Sequence, residues 1–98
     1  MPISIDSWVT LSGDQVSTSV GDAAVILGML DGVYYGLQAV GARLWEHLAV
    51  PRPVTELVAL LVDEFAVERA RCEADVLALL SDLEAHRLVR VVPAAERG

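Results

Sequence analysis

Apolar and polar positions follow a strand-like rhythm through the first third of the chain and helical spacing thereafter. Trp8-Val9-Thr10-Leu11 is rich in β-forming residues and stops at Ser12-Gly13-Asp14, a turn composition. Val16 to Val20 alternates apolar with small polar side chains, the pattern of a half-buried strand, and Gly21-Asp22 breaks it. Ala23 to Leu30 is an almost wholly apolar run, followed by Asp31-Gly32 and then Val33-Tyr34-Tyr35-Gly36-Leu37. An Asp-Gly pair between two β-type runs predicts a hairpin, because both central positions of the tight turn favour positive φ. Its predicted strands span 23–30 and 33–37.

After Leu37 the period changes. Val40, Leu44, Trp45 and Leu48 recur at helical spacing and predict a first helix over 39–49, which Pro51-Arg52-Pro53 ends. Pro53 suits the start of a second helix, with Thr55 as the alternative cap. Leu57, Leu60, Leu61 and Phe65 form its apolar stripe. A third helix is predicted over 68–86, with Cys72, Val76, Leu79, Leu80 and Leu83 on one face. Leu88 to Val92 turns β-like again, and 93–98 reads as a flexible tail. Strands followed by three helices make an α+β order, the outline also of a winged helix-turn-helix. The 98 residues suit a single domain with its core over about 5–92.

Charge narrows the range of partners. There are 14 acidic residues against 7 basic ones, all arginine, for a net charge of −7. A nucleic-acid-binding surface needs clustered cations, and the third helix sets Arg69 and Arg71, with Arg87 just beyond, against Glu68, Glu73, Asp75, Asp82 and Glu84. That balance argues against the alternative of a winged-helix transcription regulator. An acidic domain also repels anionic lipid and attracts cationic segments. The N-terminus has neither the basic nor the apolar region of a signal peptide, and no apolar run approaches the length of a membrane span. With one cysteine, Cys72, no internal disulfide can form. The chain therefore reads as cytoplasmic.

No catalytic constellation emerges. His47 and His86 fall on different helices, with no ligand at metal spacing. Cys72 lies on an apolar stripe, where a thiol packs as a small hydrophobe. The glycines match no phosphate-binding loop; Gly28 and Gly36 read as strand bends or points of close backbone approach. The chain reads as a binding domain without cofactor, not as an enzyme.

What remains is a sheet edge. If strand order follows chain order, Val33–Leu37 is an edge strand, and it has none of the lysines, prolines or bulges that normally blunt one. Such an edge is either covered by another element or used to add a strand from a partner. By alternation Val33, Tyr35 and Leu37 point to the core, whereas Tyr34 and Gly36 point away. A peptide on this edge needs an apolar wall, for which Cys72, Asp75, Val76, Leu79 and Leu83 of the third helix are the candidates.

Gly21-Asp22-Ala23-Ala24-Val25-Ile26-Leu27, Asp31-Gly32, Tyr34-Tyr35-Gly36-Leu37, Val40-Gly41 and Leu44-Trp45 together resemble the PqqD-like proteins, recognition elements for ribosomally made, post-translationally modified peptides. Val54-Thr55-Glu56-Leu57, Leu60-Leu61 and the leucine pattern from Asp75 to Leu88 continue the likeness, which spans about Val16 to Val89. The chain is most similar to the discrete leader-binding protein of lasso peptide pathways; the alternative is a peptide chaperone of another such pathway. The resemblance implies a three-stranded antiparallel sheet packed on three helices. It implies that a precursor leader peptide adds as a strand to Val33, Tyr34, Tyr35 and Leu37 and rests against Asp75, Val76, Leu79 and Leu83. The implied partners are a separate transglutaminase-like leader peptidase and the cyclase. Two departures stand out. Leu37-Gln38 replaces the family's Leu-Asn, a better cap for the first helix, and Pro51-Arg52-Pro53 replaces a glycine-bearing loop.

Overall fold

A computed structural model describes residues 3–13 and 15–97; Met1, Pro2, Asp14 of the first predicted turn and Gly98 of the predicted tail lie outside the described residues. The order is β1 (Trp8–Leu11), β2 (Gln15–Val20), β3 (Ala23–Gly28), β4 (Tyr34–Gln38), α1 (Val40–His47), β5 (Arg52–Pro53), α2 (Val54–Phe65), α3 (Arg69–Ala85) and β6 (Val89–Val91). A 3₁₀ turn over Ala94–Glu96 follows. Among the described residues, no helix is long and apolar enough to cross a membrane.

The strands form two antiparallel sheets of three, ordered β2-β3-β4 and β5-β1-β6. The resemblance implies one sheet; the second joins the two ends of the chain. In it Val9 stands opposite Val91 and Leu11 opposite Val89, and Val92 N–H donates to the Trp8 carbonyl at 2.7 Å. The segment predicted as a tail also makes defined contacts, with the Arg97 guanidinium 5.8 Å from the Trp8 ring centre. Pro51-Arg52-Pro53 ends a helix as predicted, and its last two residues pair with β1 as well. Proline is tolerated there because β5 is at the sheet's edge.

In the first sheet, alternation divides the side chains between two faces. Ser17, Ile26 and Tyr35 align across the strands on one face, as do Ser19, Ala24 and Leu37. Ile26 and Ala24 are buried against the helices. Val16, Leu27 and Tyr34 align on the other face, where Val16 and Tyr34 are exposed. α1 and α3 bury most of the stripes that their spacing predicts. On α2, Leu57 and Leu61 are buried as predicted, whereas Leu60 is half-buried outside the core and Phe65 is exposed, their places being taken by Val54 and Val58. Leu44, Trp45 and Leu48 come from α1, Val54, Leu57, Val58 and Leu61 from α2, and Cys72, Val76, Leu80 and Leu83 from α3. Thr10, the buried polar residue of this core, donates its hydroxyl to the Leu48 carbonyl at 2.8 Å, so no donor is lost from water unpaired.

The hairpin exists but is wider than predicted. β3 ends at Gly28, and Asp31 is not in a positive-φ conformation; only Gly32 is, at 69°. A two-residue turn with both centres at positive φ is therefore ruled out. Gly28 N–H donates to the Val33 carbonyl, and Gly32 N–H returns to the Gly28 carbonyl at 2.8 Å. Gly28 is a point of close approach, as predicted: a Cβ there would sit 2.6 Å from Asp31 Oδ1 and displace that carboxylate.

Two junctions use backbone conformations that alanine adopts at a cost. Ala39 opens α1 at φ 49° with no side-chain cap, its N–H held by the Asp22 carbonyl at 3.2 Å. This replaces the asparagine cap of the resemblance. Ala66 closes α2 in the left-handed region at φ 52°, ψ 41°, a position that glycine occupies without steric cost. Ala66→Gly is expected to raise unfolding stability by up to about 1 kcal/mol, read as a higher urea midpoint at unchanged slope.

Candidate functional site

The hairpin leads into the site. Asp31 organises it: one carboxylate oxygen accepts the Val33 N–H at 3.0 Å, and the other accepts the Tyr35 hydroxyl at 3.0 Å. The Val33 N–H, ahead of the Tyr35 hydroxyl, holds the Asp31 carboxyl below the usual carboxylate range against the opposing effect of burial. Partial burial and the neighbouring Asp31 raise the Tyr35 phenol above its ordinary value. The Tyr35 ring meets the His86 imidazole at the end of α3, ring centres 4.9 Å apart. Tyr35 therefore tethers β4 to α3.

β4 pairs with β3 on one side and with no described strand on the other. The expected edge is present, with Tyr34 to Gln38 as its strand. Tyr34 is 70% exposed and Gly36 faces open space, with nothing within 4 Å of where a Cβ would stand. Of the two readings of Gly36, a strand bend or a close backbone approach, the second does not hold within the domain. Val33 departs from its predicted place too. It precedes the strand and is 46% exposed, not turned into the core, because it belongs to the turn, where its N–H is taken by the Asp31 carboxylate. Tyr35 and Leu37 are half-buried, as their alternation predicts.

Beyond the Leu37 end of β4 a groove with a volume of about 230 Å³ opens between α1 and α3. Val40, Gly41 and Leu44 line it from α1, and Cys72, Asp75, Val76 and Leu79 from α3, with Val67 and Arg71 completing the rim. Leu37 Cδ2 lies 3.6 Å from the Cβ position of Gly41, so the edge strand and the groove adjoin. Of the α3 wall predicted from sequence, Cys72, Asp75, Val76 and Leu79 are brought together here. Leu83 is not among them; it is 2% exposed and belongs to the core, one turn beyond Leu79 and past the groove. Sequence reasoning missed the α1 wall. Its one signal was Gly41, a helix-disfavouring residue at the start of an apolar stripe.

The charges around the groove are weakly engaged. Asp75 and Arg71 approach to 4.0 Å, and both are highly exposed. Burial raises the Cys72 thiol, with Asp75 adding to the effect and Arg69 opposing it, a shift that disfavours the nucleophilic thiolate. Away from the groove, Glu64 clamps α2 to α1: it accepts from Arg43 at 3.0 Å and shares a hydrogen bond with His47 at 3.0 Å. Those two partners, His47 first, hold its carboxyl low. His47 thus has a structural partner. Among the described residues, no group of three or more His, Cys, Asp or Glu is placed to hold a metal ion.

A family model described as coenzyme PQQ synthesis protein D (PqqD) matches residues 9–89. Among solved structures, the chain is similar to "TbiB1 in Complex with the TbiA(beta) Leader Peptide", at 32% identity and a TM-score of 0.77, covering 83% of this chain and 94% of that one. It is similar in fold to "Lasso peptide synthetase B1 complexed with the leader peptide", at 22% identity and a TM-score of 0.72, covering 87% of this chain and 98% of that one. A comparison with curated proteins gave no match.

Asp31 has a testable pH signature. Its carboxyl is held low in the folded state, so it contributes stability above the usual carboxylate range and loses it as pH falls through the lowered value. In urea titrations through that acid range, the wild-type midpoint is expected to fall more steeply than that of Asp31→Asn. Parallel curves would remove Asp31 as a source of acid sensitivity.

Proposed function

This chain belongs to the PqqD family, and from that premise we propose that it captures the leader segment of a ribosomally made precursor peptide for lasso peptide biosynthesis. The observation that carries the reading is the open β4 edge beside the groove between α1 and α3. A leader laid along β4 pairs its main chain with the strand. Its alternate side chains turn toward the groove, the geometry of β-augmentation. Main-chain pairing supplies affinity that depends little on sequence, and the groove supplies selectivity. The leader complex of a relative sharing 32% identity supports the assignment.

In this reading the domain acts in the cytoplasm, performs no chemistry and needs no cofactor. It hands the precursor to a separate transglutaminase-like leader peptidase and then to a cyclase. What supports delivery is the outer face of the β2-β3-β4 sheet, which stays clear of the helices and carries exposed Val16, Val20 and Tyr34 beside the edge.

Calorimetric titration with the leader segment of the precursor encoded beside this chain's gene tests the proposal. Saturable binding in the micromolar range or tighter is expected, and its absence would overturn the reading. Leu79 is half-buried on the groove wall. Leu79→Glu is expected to weaken binding by about tenfold or more, since charge is costly on an apolar contact surface. A retained circular dichroism spectrum would show that the domain still folds.

A further inference from the structure

The size of the groove is set at one point. Gly41, in the first turn of α1, stands where α1, β4 and α3 converge. A methyl group there would lie 3.6 Å from Leu37 Cδ2 and 3.6 Å from Leu79 Cδ2, ordinary contact distances with no clash. Its φ is not in the left-handed region, so the backbone does not require glycine. Alanine is the better helix former, and the fold has room for it. What an added side chain would occupy is groove.

The rest of the lining states the chemistry of the occupant. Val40, Leu44, Val76 and Leu79 are apolar, while Arg71 and Asp75 stand at the rim, exposed and of opposite sign. A volume of about 230 Å³ falls below the range typical of whole-ligand pockets; it suits one large uncharged side chain. We propose that Gly41 is the specificity-determining residue of this groove. By contributing no side chain, it gives the depth that admits an aromatic or leucine-sized residue of the bound peptide. Larger residues at this position restrict acceptance to small side chains. This inference rests on the peptide-capture reading and adds to it the class of residue that the peptide presents.

The test is selection of a randomised strand-length peptide library, displayed on phage, against the wild-type domain, Gly41→Ala and Leu79→Ala. The wild type is expected to enrich an aromatic, Leu, Ile or Met residue at one fixed position. Gly41→Ala keeps the register and shifts preference at that position by about tenfold toward Ala, Val or Pro, the scale on which pockets discriminate a methylene. Leu79→Ala widens the same point from the opposite wall and shifts preference toward larger residues, so the two variants carry opposite signs. Thermal melts accompany each variant, because a loss of fold lowers all binding without altering preference. Identical preferences across the three proteins would overturn the role of Gly41 while leaving peptide capture standing. Failure of the wild type to select any peptide would overturn capture itself and this inference with it.

Discussion

Trp45 seats the helical layer under the sheet. It is 4% exposed, and its indole N–H donates to Ser17 Oγ of β2 at 3.1 Å, a bond across 28 positions of sequence. The ring supplies the buried apolar area and the N–H fixes which way it lies, so α1 is held by both packing and direction. The groove follows from that seating. With Trp45 turned to the sheet, the first turn of α1 and the flank beside Trp45 carry Val40, Gly41 and Leu44 along the groove wall that faces α3. The Glu64 clamp fixes the same helix to α2 from below.

A three-stranded sheet has two edges, and only one of them is suited to a peptide. β2 also pairs with no described strand along its outer side, but its residues from Val16 onward are exposed, and the pocket between it and α1 carries the charged Asp22, Arg43 and Glu46. β4 differs because Leu37 leads directly into the floor at Gly41, and because Tyr35 ties the strand to α3 through His86. An edge by itself offers hydrogen bonds that any extended chain can take. An edge with an adjoining apolar groove discriminates among them.

Much of this was legible in the sequence because it depends on local periodicity. The three helices and the runs that form β2, β3 and β4 followed from spacing and turn chemistry to within a few residues, and the open fourth strand followed once sheet order was taken to follow chain order. What escaped depended on distant partners. β5 is two residues long and holds a proline, so no window of sequence marks it as a strand; it forms because β1 passes beside it. Asp31-Gly32 signals a turn but not its width, which is decided by the Asp31 carboxylate reaching Val33 and Tyr35. Leu83 and Leu79 share one stripe on α3, yet only Leu79 reaches the groove, since which turn of α3 faces α1 is a tertiary property. The α1 wall was hidden for the same reason.

The second sheet has a consequence for how such a domain can be joined to others. β1 and β6 lie side by side, and Val92 is bonded to Trp8, so the two ends of the described chain leave from the same place. Neither belongs to the β2-β3-β4 sheet. An enzyme domain fused in frame at either end therefore departs from the β5-β1-β6 sheet and leaves the β4 strand unencumbered. The adjacent ends also make the chain a natural insert within a loop of a larger protein. The fold is thus equally suited to stand as a separate subunit or as a module within a longer chain.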